Sequence, residues 1–147
     1  MSFEGSTLVD WNAFTQARIL LGTGFVRILG YFREDGIKSV AAIEAAVRQN
    51  NAAAMVIPAH TLKGEARQFG AQPLASLAET IEGIARDCVE TRDDPSAAIA
   101  HVASLRPTFE ATLALLERES NPVVARRPAT PGASAGFGRR PGSFGRA

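Results

Sequence analysis

In the first 119 residues, apolar side chains recur every three or four positions within five successive segments that Gly, Pro or Asn separate. This spacing places them on one face of an α-helix, because 3.6 residues complete one turn. A helix with one apolar face is stable only when that face packs against another element. The chain is therefore predicted to be all-α.

The separating residues give approximate bounds for the five predicted helices, which are 9–21, 23–49, 52–70, 73–88 and 96–116. We expect Asp10 to cap the first helix and Asn50 or Asn51 to cap the third. Gly22 and Gly70 are expected to end the first and third helices.

Three residues inside these segments disfavour a regular helix. Gly36 is the weak point of the second segment, because glycine is a poor helix former. Pro58 and Pro107 each remove a backbone hydrogen bond and are expected to bend or locally break their helices. The buried stripe of the last helix is predicted to begin at Ile99 and reach Leu116.

Short connections make sequential helices antiparallel neighbours. We therefore expect an antiparallel up-down four-helix bundle, with the first helix as a short N-terminal cap, in a domain spanning residues 1–119. Residues 120–147 contain four prolines and five glycines, and this composition predicts a disordered C-terminal tail.

Composition also restricts the class of protein. Cys88 is the single cysteine, and neither a secretory signal nor an apolar stretch of roughly 18 residues is present. We therefore expect a soluble cytoplasmic protein with no membrane contact. The tail holds five arginines and no acid, whereas residues 1–119 hold 11 basic and 15 acidic residues. Nucleic-acid binding by the tail is an alternative, but five charges favour a solubilising tail.

The sequence AHTLKGEARQFGA, residues 59–71, places one of the two histidines on the third predicted helix. His60, Lys63, Gly64 and Arg67 have spacings of i, i+3, i+4 and i+7, so they share an arc beside the apolar stripe. A solvated surface histidine is the simpler interpretation. No second metal ligand lies three or four residues from His60, and Glu65 points elsewhere, so we expect no metal site and no acidic cluster near His60.

Gly64 favours a functional interpretation. A glycine within a helix costs about 1 kcal/mol relative to alanine, and at an exposed position the core gains nothing from it. The missing side chain leaves room for a partner's backbone or a phosphoryl group beside His60. Lys63 and Arg67 would supply positive charge to such a group.

The segment resembles the histidine-containing phosphotransfer (HPt) domains of multistep two-component relays, over roughly residues 8–117. The matching positions are Ala59, His60, Leu62, Lys63, Gly64, Gly70, Leu74, Ile81 and Glu82. The dimeric phosphoacceptor domain of histidine kinases is a poorer match, because it has an acid directly after its histidine, where this chain has Thr61.

The resemblance implies a phosphorelay carrier rather than an enzyme. His60 would accept a phosphoryl group on Nε2 from a receiver-domain aspartyl phosphate and pass it to another receiver. Lys63 would stabilise the phosphoryl group, Gly64 would give clearance, and Gln68 could hydrogen-bond near the imidazole. The implied partners are response-regulator receiver domains and a hybrid histidine kinase. The receiver would supply Mg²⁺ and an acidic pocket, this chain would hold no cofactor, and we expect a monomer.

Val56 and Ile57 lie one turn before His60 and outside the core arc. They are either partly buried against a neighbouring helix or part of an apolar docking patch for the receiver, with Arg67 on its rim. The alternative function is a helical module that binds receivers without carrying phosphate.

Overall fold

The computed structural model describes residues 7–120, which are helical over most of their length. The five α-helices are α1 (Trp11–Leu21), α2 (Phe25–Arg48), α3 (Ala53–Gln68), α4 (Gln72–Thr91) and α5 (Ile99–Ser120). Single 3₁₀ turns, Gly22–Gly24 and Ser96–Ala98, lead into α2 and α5. Helices α2 to α5 form the predicted antiparallel bundle, and α1 is the short cap. The all-α prediction is confirmed. Ser120, the first residue of the predicted tail, still belongs to α5, and residues 121–147 lie outside the described residues.

The predicted capping residues act at the starts of α1 and α3. The Asp10 carboxylate accepts hydrogen bonds from the backbone N–H groups of Asn12 and Ala13, at 3.0 and 3.3 Å. Asn51 Oδ1 accepts one from the Ala54 N–H at 3.1 Å. These bonds satisfy N–H groups that have no partner inside the helix.

Gly70 joins the cap helix to the turn between α3 and α4. Its φ of 76° lies in the left-handed region that glycine tolerates. Its carbonyl accepts a hydrogen bond from the Asp10 N–H at 2.7 Å, and a Cβ here would lie 2.8 Å from the Asp10 carbonyl oxygen. This close approach fixes the start of α1 against the end of α3.

Neither internal proline ends its helix. α3 runs on through Pro58 and α5 through Pro107, so neither helix breaks at its proline, and the alternative expectation, a bend, stays a prediction. In α3, two residues close to Pro58 are fully buried: Met55, three residues before it, and Ala59, directly after it. Packing on both sides of a proline can stabilise a helix by more than the missing hydrogen bond costs.

Five phenylalanines form a chain of ring contacts through the core. Phe14 packs on Phe25, Phe25 on Phe69, Phe69 on Phe32, and Phe32 on Phe109, with ring centroids 5.4–5.6 Å apart. Aromatic pairs at this separation add roughly 1 kcal/mol each beyond their buried area. The chain of rings connects α1, α2, the end of α3, and α5.

The predicted core faces agree with the structure at most positions, with Ile99 an exception. Ile99 begins α5 and is about half exposed, so its predicted burial is wrong. Ala98, the last residue of the 3₁₀ turn before α5, is buried instead, and the spacing rule for an α-helix does not extend into that turn. None of the helices within residues 7–120 is long and apolar enough to span a bilayer.

Gly36 is required by packing and is not merely a weak point of α2. It is buried, and a Cβ at this position would overlap the ring of Phe109 on α5. Phe109 is itself buried, so its ring has little space into which it can move. The missing side chain therefore sets how closely α5 approaches α2.

We expect Gly36→Ala to lower the free energy of unfolding by about 1–3 kcal/mol, because overpacking a filled core forces neighbouring side chains to shift. Gly30→Ala is the matched control, since Gly30 lies in the same helix with open space where its Cβ would be. Urea denaturation of both variants checks the prediction. Equal stabilities for the two variants would contradict it.

Candidate functional site

His60 lies in the middle of α3, on the face opposite the core. The residues that α3 buries are Met55, Ala59, Leu62 and Ala66. The His60 side chain is 61% exposed. Burial of the apolar stripe therefore fixes the orientation of the helix and directs the imidazole towards solvent.

The imidazole contacts Glu82, a buried carboxylate on α4. His60 Nδ1 lies 3.0 Å from Glu82 Oε2. Lys63 Nζ lies 2.8 Å from the other oxygen, Oε1. The Glu82 side chain is only 7% exposed and the Lys63 side chain 17%. One carboxylate thus fixes the positions of both the imidazole and the ammonium group.

Arg86, one turn further along α4, completes this cluster. Its Nε and Nη2 donate hydrogen bonds to Glu82 Oε2 at 3.0 and 2.8 Å. The Arg86 side chain is 58% exposed, so its guanidinium lies beside the imidazole at the surface. The positive charge near His60 therefore comes from α4 as well as α3.

The surroundings of Glu82 keep it ionised. Burial alone would raise the pKa of this carboxyl group, but hydrogen bonds from Lys63, Arg86 and His60 outweigh burial and lower the pKa from 4.5 to about 2. Glu82 is thus a carboxylate at neutral pH, and a carboxylate can only accept hydrogen bonds.

This ionisation state determines the tautomer of His60. Because Glu82 only accepts, the ring nitrogen facing it, Nδ1, must donate and therefore carries the proton. In the neutral ring the other nitrogen, Nε2, then holds the free lone pair. A neutral imidazole held in this way presents Nε2 as a nucleophile on an exposed surface.

Sequence reasoning did not predict an acid in contact with His60. It considered acids close in sequence, whereas Glu82 reaches His60 from the next helix. One signal was available, because Glu82 lies in a stripe with Ala75, Ala78 and Ala85 at three- and four-residue steps. A single acid within a stripe of small apolar residues indicates a buried, paired carboxylate.

The other site residues predicted on the same helix after Lys63 are Gly64, Arg67 and Gln68. Gly64 is exposed, one turn after His60, with no atom within 4 Å of the place where a Cβ would be. Arg67 is half exposed and pairs with Glu79 on α4 at 3.0 Å. Gln68 lies further along α3, in a groove beside α1, and the side chain that hydrogen-bonds to the imidazole is Glu82.

The two apolar residues before His60 differ in exposure. Val56 is half-buried and packs against the core. Ile57 is 75% exposed, one turn before His60. Partial burial thus describes Val56, whereas Ile57 presents its side chain to solvent.

Glu65 follows Gly64 and lies on the side of α3 that faces α2. Burial raises its pKa, and Asp35 on α2 raises it further, from 4.5 to about 7. Two facing carboxyl groups repel each other when both are ionised. The α2 side of the site therefore carries two facing carboxyl groups, whereas on the α4 side the carboxylates of Glu79 and Glu82 are paired with Lys63, Arg67 and Arg86.

Within residues 7–120, no group of three or more His, Cys, Asp or Glu side chains is placed to hold a metal ion. The His60–Glu82 pair alone offers two potential ligands, one of which is bonded to Lys63 and Arg86. The chemistry of this site is that of an oriented nucleophile among paired charges.

Comparison with protein families places the chain in a known family. The family model described as the Hpt domain matches residues 27–119, well over half of the chain. The chain belongs to the Hpt domain family. This membership supports a histidine phosphotransfer role in phosphorelays, in which Hpt domains interact with receiver domains and histidine kinases.

A solved structure shares the fold of this Hpt domain. The chain resembles histidine-containing phosphotransfer protein B (HptB) from Pseudomonas aeruginosa PAO1, with a TM-score of 0.68 and 22% sequence identity. The match covers 78% of this chain and 96% of HptB. The comparison with curated proteins gives no match.

Replacing Glu82 tests the assignment of the His60 tautomer. In the unaltered Hpt domain, ¹⁵N NMR of the ring should show the proton of neutral His60 on Nδ1. In Glu82→Gln we expect both tautomers, because an amide can either accept or donate. We also expect the free energy of unfolding to fall by about 1–3 kcal/mol, since the largely buried Lys63 ammonium loses its charged partner.

Glu79→Gln is the matched control, because Glu79 lies on the same helix and pairs with Arg67 at the exposed surface. It should leave the His60 tautomer unchanged. A neutral His60 with its proton on Nε2 in the unaltered domain would overturn the assignment.

Glu65 gives the Hpt domain a distinct pH dependence of stability. Because its folded-state pKa is raised from 4.5 to about 7, the folded chain binds this proton more tightly than the unfolded chain. Stability therefore falls as the pH rises from about 4.5 to 7. Glu65→Gln should raise the free energy of unfolding at pH 8 by roughly 1 kcal/mol, allowing for screening by water at this partly exposed group.

Urea denaturation at pH 5 and pH 8 measures this effect, with Glu34→Gln on the exposed surface of α2 as the control. The gain in Glu65→Gln should be smaller at pH 5 than at pH 8. A gain that is the same at both pH values would show that the charge of Glu65 is not responsible.

Proposed function

We propose that this Hpt domain carries a phosphoryl group on His60 Nε2, which it accepts from the aspartyl phosphate of one receiver domain and passes to another. The observation that most supports this is the contact between His60 Nδ1 and the ionised Glu82. It leaves Nε2 as the nucleophilic atom on an exposed part of α3.

In the proposed reaction, Nε2 attacks phosphorus in line with the bond to the aspartyl oxygen. The N–P bond forms, the O–P bond breaks, and the aspartate leaves as a carboxylate. Because Nδ1 keeps its proton, the phosphorylated ring bears positive charge next to the Glu82 carboxylate, which stabilises it. Transfer to the next receiver reverses these bond changes. Positioning and charge neutralisation provide most of the rate enhancement in such transfers.

Lys63 and Arg86 have complementary roles in this proposal. Both are bonded to Glu82 and lie within about one helical turn of His60. An ammonium and a guanidinium group at this distance reduce the repulsion between the phosphoryl oxygens and Glu82. Lys63 stabilises the phosphoryl group, as the family resemblance implies, and Arg86 adds a second positive charge from α4.

The surface around His60 would form the docking site for the receiver. Gly64 provides an open position one turn after His60, and Ile57 provides an exposed apolar side chain one turn before it. The half-buried Val56 extends the apolar patch, and Arg67 lies on its rim. An apolar centre with charged edges is typical of transient protein interfaces.

The partners are response-regulator receiver domains, one of them within a hybrid histidine kinase. The receiver supplies Mg²⁺ and the acidic pocket that holds it, and this chain contributes no cofactor of its own. We place the reaction in the cytoplasm and expect the chain to act as a monomer without binding nucleic acid. Gln68 would hydrogen-bond near the imidazole only after local rearrangement, because Glu82 already contacts Nδ1.

Incubation with a radiolabelled, phosphorylated receiver tests the proposal. We expect label on this chain that survives base and is lost in acid, as phosphohistidine requires. His60→Gln should abolish labelling, whereas His101→Gln, a change at the other histidine of the chain, should leave it unchanged. Receiver binding without labelling would instead support the module that carries no phosphate, and labelling that persists in His60→Gln would place the phosphoryl group elsewhere.

Gly64→Ala should separate folding from function. We expect the variant to unfold at a higher temperature and its free energy of unfolding to rise by up to about 1 kcal/mol. Alanine favours the helix, and outside the backbone of α3 and the two chain neighbours no atom lies within 4 Å of the added Cβ. Transfer from the receiver should become slower, since the added methyl group obstructs its approach. Thermal unfolding and transfer rates measure the two effects. Unchanged transfer would show that clearance at Gly64 is not needed.

A further inference from the structure

Gly83 is a second exposed glycine within a helix close to the site. It lies in the middle of α4, directly after Glu82, and apart from its chain neighbours and the backbone of its own helix no atom lies within 4 Å of the place where a Cβ would be. Like Gly64, it costs the helix about 1 kcal/mol relative to alanine. Nothing in the packing of the described residues requires a glycine at this position.

Gly83 lies on the side of α4 that borders α3. It is four residues after Glu79 and three before Arg86, so the three residues share one face of the helix. Glu79 pairs with Arg67 on α3, and Arg86 binds the same Glu82 oxygen that contacts His60. Gly64 has the same relation on α3, four residues after His60 and three before Arg67.

The cross-helix pairs place the two glycines at similar heights. The preceding residues, Lys63 and Glu82, are joined by the 2.8 Å ion pair. Gly64 and Gly83 each follow their paired residue by one position, which is a rise of only about 1.5 Å along the helix axis. Because α3 and α4 are antiparallel, these two small shifts have opposite directions. Beside His60, α3 and α4 therefore each have one position without a side chain, and the two positions lie within about one turn of each other along the helix axes.

We propose that the receiver domain rests on α4 as well as on α3, and that Gly83 is a second clearance residue for its approach. This inference rests on the proposed function of His60. Arg67 and Arg86 border the two glycines, and their exposed guanidinium groups would complement the acidic pocket proposed for the receiver. Gly83 acts by admitting the receiver surface, and it takes no part in the chemical step.

Gly30 provides a matched control for Gly83. It too lies inside a helix with open space where its Cβ would be. It precedes Glu44 by about four turns of α2, and Glu44 pairs with Arg106 on α5. Gly30 therefore lies on the side of α2 that faces α5, away from the side that meets α3.

The experiment compares Gly83→Ala, Gly83→Gln, Gly30→Ala and Gly30→Gln for thermal stability, receiver affinity and the rate of transfer from a phosphorylated receiver. We expect all four variants to be at least as stable as the unaltered chain. Gly83→Ala should slow transfer a few-fold and Gly83→Gln at least about tenfold, because the larger side chain obstructs docking more. The Gly30 variants should transfer at the unaltered rate.

Phosphorylation by phosphoramidate, a small donor that needs no docking surface, provides the second measurement. Gly83→Gln should accept phosphate from phosphoramidate at the unaltered rate, which would assign its defect to docking. Equal losses with both donors would show that the substitution disturbs His60 itself and would overturn the inference, as would receiver transfer at the unaltered rate in Gly83→Gln. These outcomes leave the proposed function intact when the unaltered chain is labelled on His60. Failure of the unaltered chain with every receiver would overturn both.

Discussion

The carboxylate of Glu82 is the interaction on which the rest of the site depends. It is nearly buried, and it is stabilised there by three groups, the Nδ1–H of His60, the ammonium of Lys63 and the guanidinium of Arg86. A buried carboxylate without such partners would be protonated or would destabilise the fold. With them it stays ionised, fixes the tautomer of the imidazole and holds two positive charges close to it. One packing arrangement therefore orients the imidazole of His60 and sets the charges around it.

The glycines of this chain show two different uses of a missing side chain. At Gly36 the space is filled by the ring of Phe109 from another helix, so the glycine contributes to the stability of the bundle. At Gly64 and Gly83 the space is open to solvent, and the helix is less stable than it would be with alanine. A cost in stability without a packing reason is common where a surface must admit a partner. Glycine thus makes room for a neighbouring ring on α2 and leaves the surface open on α3 and α4.

Glu82 and Glu65 show how surroundings set the behaviour of identical groups. Both are removed from water to some degree, which favours the protonated form. Glu82 faces three positively charged or donating groups, and its pKa falls to about 2, whereas Glu65 faces Asp35 and its pKa rises to about 7. The two carboxyl groups therefore stabilise the folded chain over different pH ranges. They also make the two flanks of α3 electrostatically different.

Patterns in the sequence predicted the helices, their approximate ends and the exposure of His60. These features depend on local geometry, which fixes the residues that share a helix face, such as Met55, and the residues that begin or end a helix, such as Asp10 and Gly70. Three features appear only in the folded structure: the contact of Glu82 with His60, the burial of most of the Lys63 side chain, and the packing of Phe109 against Gly36. Each of these facts depends on the register between two helices. Many side chains far apart in the chain set that register together, and the spacing within either helix does not contain it.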